Sequence, residues 1–125
     1  MTSLAGLRVL DLSRFIAGPY CAMMLGDMGA EVVKIEPPGE GEYARRAAPA
    51  VDGQSLYTFI VNRNKKSIAL DLRQAVGLAV VGEMVARADV LVENFRPGTM
   101  EKMGLGWDAV HALNPRLVMA RISGF

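Results

Sequence analysis

The sequence predicts an α/β protein in which a parallel β-sheet carries helices on its faces, and three observations support that class. Short β-rich runs alternate with helix-like segments along the chain, which is typical of parallel βα units. Glycine and proline turns separate these runs. Hydrophobic residues make up 51% of the 125 positions, which is enough for one domain with a buried core.

The first two strands and the helix between them have clear boundaries. Residues 7–12 (LRVLDL) predict one strand, and residues 31–35 (EVVKI) predict the second. We expect the helix to open at Gly18-Pro19, since proline in the first turn loses no hydrogen bond, and to end at Gly29.

The middle of the chain holds an irregular region, a third strand and a long helix. Residues 39–64 predict only short helices, and residues 67–72 predict the strand. Residues 74–88 have the broad apolar face of a packed helix. Gly77 and Gly82 weaken that helix by about 1 kcal/mol each relative to alanine, so packing must hold it.

Two further strands are predicted in the last third, at residues 89–95 and 117–122. A helix capped by Thr99 follows the fourth strand, and a short helix covers residues 107–113. No covering helix follows the fifth strand before Phe125. We therefore expect the chain to be the amino-terminal part of a larger domain, of which it contains only a portion.

Composition excludes several classes of protein. Fourteen basic and thirteen acidic residues give a net charge of +1, too balanced for the broad basic field that nucleic-acid binding requires. The single Cys21 excludes an internal disulfide and a cysteine-based zinc site, and favours a cytoplasmic protein. The longest apolar stretch, residues 15–25, is broken by Gly18 and Pro19, so we expect no membrane segment.

Residues 62–72 (NRNKKSIALDL) are the first candidate ligand-binding segment. Arg63, Lys65 and Lys66 supply charge directly before a strand that would hold them in place, and two asparagines add amide donors. This pattern predicts a phosphate-bearing ligand at a local site.

Two turns at predicted strand ends are further candidates. In SRFIAGP (13–19), small residues allow the backbone to approach a ligand, although an ordinary tight turn explains them equally well. In NFRPGT (94–99), Phe95 is suited to stack on a flat ring and Arg96 to contact phosphate, with Lys102 about one helical turn further on. The alternative there is a capped helix with a solvent-facing arginine.

One apparent dinucleotide motif and one histidine carry little weight. Residues 39–44 match the pattern G-x-G-x-x-G/A, but Pro37-Pro38 separate them from the strand and Pro49 interrupts the helix that should follow. A nicotinamide oxidoreductase rests on this match alone. His111 has no second histidine or cysteine with which to bind a metal, so we predict no metal site.

Four blocks of the chain, in order, resemble the amino-terminal part of family III CoA-transferases, the group that contains formyl-CoA and carnitine CoA-transferases. The blocks are residues 4–39, 62–73, 88–108 and 113–125. The resemblance implies an enzyme that moves CoA from an acyl-CoA to a small carboxylic acid through aspartyl anhydride and aspartyl-CoA intermediates. It also implies a Rossmann-like large domain, an interlocked homodimer, and acyl-CoA as substrate with no prosthetic group.

The resemblance also implies which residues contact CoA. By position they are Ile16, Ala17, Leu70, Asp71, Leu72, Arg73, Asn94, Phe95, Arg96 and Lys102. The residue after the second strand, often an arginine contacting CoA in relatives, is Pro37 here, and Arg45, Arg46 or Arg63 are candidates to replace it.

The nucleophilic aspartate of the family would lie beyond Phe125, so the 125-residue chain alone is expected to be inactive. Two alternatives remain open. The α-methylacyl-CoA racemases share the fold and early motifs but exchange an α-proton. A non-catalytic interaction module, pairing through an exposed strand, is the alternative from another class.

Overall fold

The computed structural model describes residues 2–124 as a five-stranded parallel sheet with helices on both faces, which confirms the predicted α/β class. The sheet strands are β1 (Arg8–Asp11), β2 (Glu31–Glu36), β5 (Lys65–Ala69), β6 (Val90–Glu93) and β7 (Val118–Arg121); β3 (Ala50–Val51) and β4 (Gln54–Ser55) form a separate hairpin. The α-helices are α1 (Ala17–Asp27), α2 (Leu56–Val61), α3 (Ala75–Val85), α4 (Thr99–Lys102) and α5 (Trp107–Leu113).

The strand order determines where a ligand can bind. The order is β5-β2-β1-β6-β7, so the chain winds outward from central β1 to β5 and then crosses back to β6 on the other side. Between β1 and β6 the winding direction reverses, and α/β sheets bind ligands in the crevice at such a point, beyond the carboxyl ends of the strands. We call the end of the sheet where the strands finish the carboxyl edge.

Two hydrophobic cores cover the two faces of the sheet. The larger one joins Leu10, Ile35 and Leu91 to α3, α4 and α5. The smaller one joins Val9, Val32 and Val92 to α1. Because neighbouring residues of a buried strand point to opposite faces, the continuous apolar runs of β1 and β6 supply both cores.

The third strand lies two to three residues earlier than predicted. It runs over Lys65–Ala69 rather than residues 67–72, with Val32 opposite Lys65 and Glu36 opposite Ala69. The apolar alternation of residues 67–72 predicted the later start. In the structure Lys65 belongs to the strand, and its Nζ atom donates a hydrogen bond to the carboxylate of Asp11, the last residue of β1.

Other expectations differ in smaller ways. Residues 39–64 contain a 3-10 helix (Tyr43–Arg46), the unpredicted β3–β4 hairpin and α2, so the short helices are confirmed and no long helix follows the apparent dinucleotide motif. Gly98, with φ 85°, caps α4 in place of Thr99, which is the first helical residue. Within residues 2–124 no helix has the length and apolar character that a membrane crossing requires.

Candidate functional site

Two adjoining cavities lie at the carboxyl edge, and the predicted site residues line them. Cavity I, about 610 Å³, is lined by Leu70, Asp71, Leu72, Arg73, Phe95 and Lys102, together with Arg14, Pro37, Leu78, Thr99 and Met103. Cavity II, about 540 Å³, is lined by Ala17, Asn94, Phe95 and Arg96, together with Pro97 and residues 122–124. Phe95 separates the two, and Ile16 is the one predicted residue that lines neither.

A smaller cavity of about 300 Å³ lies near the opposite end of the sheet, between Arg8, Glu31 and Arg87. We assign no site there, because parallel sheets bind ligands at the carboxyl ends of their strands.

Charges in cavity I favour an anionic ligand. Arg14, Arg73 and Lys102 contribute three cations, against the single carboxylate of Asp71. Arg73 Nε lies 2.9 Å from Asp71 Oδ1, and this hydrogen bond holds the pKa of Asp71 below its ordinary value. Because Arg73 is 87% exposed, the pair is weak and can open to a ligand at little cost.

The loop after β1 is tied to the end of β6 by one side chain. The Oδ1 atom of Asn94 accepts a hydrogen bond from the Arg14 N–H at 2.7 Å, and its Nδ2 atom donates to the Arg14 carbonyl at 2.8 Å. Both polar atoms of the Asn94 amide are therefore engaged by the backbone. Asn94, which was predicted to contact the ligand, thus links the loop after β1 to the end of β6, the two strands between which the winding direction reverses.

The same loop is strained at its next residue. Phe15 has φ 65°, a left-handed conformation that is uncommon for a residue with a side chain. Its N–H donates to buried Glu42 at 3.1 Å, and its ring lies 5.6 Å from that of Tyr43 and 5.9 Å from that of Tyr57. Strained backbone held by its surroundings is a feature of functional sites. Phe15 lies between Arg14, which lines cavity I, and Ala17, which lines cavity II.

A buried charge cluster supports this loop from below. Asp11 Oδ2 accepts Lys65 Nζ at 2.7 Å and lies 3.6 Å from Lys34 Nζ, while Lys34 donates to the Ser13 carbonyl at 2.8 Å. Burial lowers the pKa of Lys65, although the carboxylate of Asp11 opposes that effect. Lys65 therefore serves the fold, and its interpretation as a phosphate ligand is wrong.

The remaining cations of residues 62–66 point away from the site. Arg63 pairs with Asp27 and Lys66 with Glu31, both near the amino ends of the strands. These pairings contradict the prediction that this basic run grips a ligand. The part of the segment that lines cavity I is its end, Leu70 to Leu72, which together with Arg73 forms the loop after β5.

Two of the proposed replacements for an arginine at position 37 are also committed elsewhere. Arg45 makes a bidentate pair with Glu36, with both distances 2.6 Å, and Arg46 pairs with Glu40. Burial raises the pKa of Glu36, but hydrogen bonds from Arg45, Ser67 and a backbone N–H outweigh it and lower the value to about 2. Pro37 shares cavity I with three cations, Arg14, Arg73 and Lys102, and of these only Arg14 was not among the residues predicted to contact CoA.

His111 stacks on Trp107 with ring centroids 4.7 Å apart. Within residues 2–124 no three histidine, cysteine, aspartate or glutamate side chains gather as metal ligands would.

Comparison with known proteins gives consistent results for sequence and structure. The model of CoA-transferase family III matches residues 4–125. The chain is 51% identical over 120 residues to succinyl-CoA--D-citramalate CoA-transferase of Chloroflexus aurantiacus, covering 95% of this chain and 30% of that protein. It is 48% identical over 120 residues to acetyl-CoA:oxalate CoA-transferase of Acetobacter aceti, covering 96% of this chain and 31% of that protein.

Among solved structures, a CAIB/BAIF family protein from Brucella suis superposes with a TM-score of 0.92 at 41% identity, covering 99% of this chain and 34% of that one. Rv3272 from Mycobacterium tuberculosis superposes with a TM-score of 0.88 at 43% identity, covering 97% and 32%. The chain thus spans about 30% of the length of the curated relatives it matches.

Proposed function

The chain belongs to CoA-transferase family III, and on that basis we propose that it takes part in moving CoA from an acyl-CoA to a carboxylic acid. The observation that carries the proposal is that the residues assigned by the family resemblance meet at one place in the structure. The family match extends over residues 4–125, and nine of the ten residues that the resemblance assigned to CoA line two cavities at the carboxyl edge.

In the proposed binding mode, cavity I receives the phosphates of CoA. Arg73, in the loop after β5, and Lys102, at the end of α4, both line it, and the loop Leu70 to Arg73 supplies backbone groups beside them. Phosphate oxygens accept charge-assisted hydrogen bonds from both side-chain types. Cavity II, with Arg96 at its wall, extends the site past Phe95 toward β7.

The proposed chemistry is covalent catalysis by an aspartate. Its carboxylate attacks the acyl thioester to give an anhydride and CoA thiolate, and the thiolate then attacks the aspartyl carbonyl to give aspartyl-CoA and the free donor acid. The acceptor carboxylate then attacks the aspartyl-CoA carbonyl, which releases CoA thiolate and forms a second anhydride. The thiolate attacks the acceptor acyl carbon of this anhydride, which gives the new CoA thioester and restores the aspartate carboxylate.

We propose that none of the carboxylates in residues 2–124 is this nucleophile. Asp71 is the one acid lining cavity I, and its hydrogen bond to Arg73 lowers its pKa and its nucleophilicity. Asp11 is fully buried in an ion pair. The chain alone should therefore bind CoA without turning it over. A cytoplasmic, interlocked homodimer is the assembly that the family resemblance favours.

The relatives suggest the substrates to test first. The named curated relatives act on succinyl-CoA with D-citramalate and on acetyl-CoA with oxalate, so short acyl-CoA donors and small dicarboxylic acids are the proposed class.

A chimera tests the proposal in a catalytic setting. The chain would replace the matching amino-terminal part of the Chloroflexus citramalate enzyme, to which it is 51% identical. We expect CoA transfer from succinyl-CoA to D-citramalate, reduced about tenfold or more in kcat/KM by Lys102→Met, since a charge-assisted hydrogen bond contributes about 1.5 to 3 kcal/mol. Lys66→Met is the matched control, because Lys66 lies exposed near the opposite end of the sheet.

A folded chimera without transfer activity would contradict the proposal. Calorimetric titration of the 125-residue chain adds a second test, in which CoA should bind and NADH should not. Size-exclusion chromatography with light scattering tests the alternative of a non-catalytic interaction module. Oligomers that form with increasing protein concentration, are unchanged by added CoA and bind no CoA would favour that alternative.

A further inference from the structure

The geometry points to Arg14 as a phosphate-binding residue of cavity I, acting on the CoA polyphosphate beside Arg73 and Lys102. This inference rests on the proposed function and identifies a specificity residue within the same site. Its position, its orientation and its lack of a carboxylate partner each support it.

The position of Arg14 follows from the sheet. Arg14 lies three residues past the end of β1, and Pro37 directly follows β2, the strand paired with β1. Both line cavity I. Arg14 thus faces the space directly beyond the carboxyl ends of two central strands, where α/β sheets bind ligands.

The orientation of Arg14 is held at both ends of the residue. Asn94 hydrogen-bonds the Arg14 N–H at 2.7 Å and its carbonyl at 2.8 Å, so the backbone is held against β6. The guanidinium carbon lies 5.2 Å from the centroid of the Phe95 ring. Stacking of this kind leaves the donors around the rim of the guanidinium plane directed outward, suited to two oxygens of one phosphate.

The charge of Arg14 is uncompensated within the described part of the chain. Arg73 in the same cavity pairs with Asp71, and Arg45 nearby pairs with Glu36, whereas no carboxylate in residues 2–124 lies within 4 Å of Arg14. Arg14 is partly buried. A partly desolvated guanidinium with unfilled donors binds an anion more strongly than a fully solvated one.

Calorimetric titration of CoA into the 125-residue chain tests the inference. We expect Arg14→Met to raise the Kd by about 10- to 100-fold, as for loss of a charged hydrogen-bonding group. Arg14→Lys should have an intermediate effect, because an ammonium keeps the charge but lacks the planar fork. The control is Arg116→Met, which removes an exposed arginine just before β7, at the end of the sheet away from the cavities, and should leave the Kd within about twofold.

Two further measurements separate binding from a structural role. Pro37→Arg, added to Arg14→Met, places a guanidinium across the same cavity and should recover at least half of the lost affinity on a logarithmic scale. Pantetheine, which lacks the phosphates of CoA, should bind equally weakly to the parent chain and to Arg14→Met, as followed by NMR shifts.

Each outcome has a distinct meaning. Unchanged CoA affinity in Arg14→Met, or an equal loss of pantetheine binding, would overturn the role of Arg14 while leaving the proposed function intact. Failure of Pro37→Arg to recover any affinity would overturn the placement of the phosphate between positions 14 and 37. If the parent chain itself binds no CoA, the proposed function fails and this inference with it. Circular dichroism checks that the variants fold. If Arg14→Met does not fold, the CoA affinity of Arg14→Lys decides the test.

Discussion

Replacing Lys65 by methionine should destabilise the protein strongly, whereas the same change at neighbouring Lys66 should have almost no effect. In the sequence the two lysines are adjacent and equivalent, and both were candidates to bind phosphate. In the structure the Lys65 side chain is 2% exposed and that of Lys66 is 74% exposed. The pair of variants therefore tests whether burial, and not sequence, decides the role of a cation.

The contacts of Lys65 set the magnitude. Its Nζ atom donates to Asp11 at 2.7 Å, to the Pro19 carbonyl at 2.8 Å and to Asn62 at 3.1 Å. Methionine removes all three bonds and leaves Asp11 buried, with Lys34 3.6 Å away as the remaining cation. Breaking a buried ion pair on one side costs about 3 to 5 kcal/mol, a large share of a total stability of about 5 to 15 kcal/mol.

Urea unfolding monitored by circular dichroism measures the difference. With a denaturant slope of about 1.5 kcal/mol per molar, Lys65→Met should lower the midpoint by about 2 to 3 M. Lys66→Met loses one exposed pair with Glu31 and should shift the free energy of unfolding by less than about 1 kcal/mol.

The result that would refute this reasoning is equal stability of the two variants. A second contradictory result would be a Lys65→Met protein of normal stability that binds CoA at least tenfold more weakly. That outcome would restore Lys65 as a ligand-binding residue and make its buried pair with Asp11 incidental.

Three further predictions follow from particular contacts. Gly77→Ala should distort the loop before α3 and weaken CoA binding, because its Cβ would collide with the Asp71 carbonyl. Gly82→Ala meets only a side-chain carbon 3.9 Å away and should add about 0.8 kcal/mol of stability. Calorimetry of CoA binding and urea unfolding that rank the two variants the other way would contradict this. The pKa of Glu36 falls from 4.5 to about 2 on folding, so as the pH is lowered the unfolded chain binds this proton before the folded protein does. The contribution of Glu36 to stability, about 3 kcal/mol, should therefore be complete above pH 5 and disappear as the pH falls toward 2. Glu36→Gln should flatten the dependence of the unfolding free energy on pH over that window, and an unchanged slope would show that other groups cause it. Asn94→Ala should lower stability by about 1 to 2 kcal/mol and also raise the CoA Kd, because it frees the loop after β1, and a stability loss with unchanged affinity would limit Asn94 to a structural role.

The general position of the candidate site was predictable from the sequence. Strand patterns are strong local signals, and in a parallel sheet the ends of neighbouring strands meet at one edge, so a site at that edge could be predicted. The exact strand ends could not, because Leu70 to Leu72 and Phe95 were expected within strands and instead follow β5 and β6. The family resemblance supplied the individual residues and the proposal that the ligand is CoA.

Side chains whose role depends on a distant partner were not predictable in the same way. Lys65 becomes structural because the buried carboxylate of Asp11, 54 residues away in sequence, accepts a hydrogen bond from its Nζ atom. Arg14 becomes available because Asn94, 80 residues away, holds its backbone and Phe95 supports its guanidinium. Neither relation has a local signature.

By itself, the sequence determined the α/β class, the approximate strands and the loops that carry the site, since periodicity and turn residues act over a few neighbouring positions. Only the tertiary structure decided which cations line cavity I and which neutralise buried carboxylates. The physical reason is that the free energy of a charged group depends on its solvation and on its nearest opposite charge, and both are set by chain segments that meet only on folding.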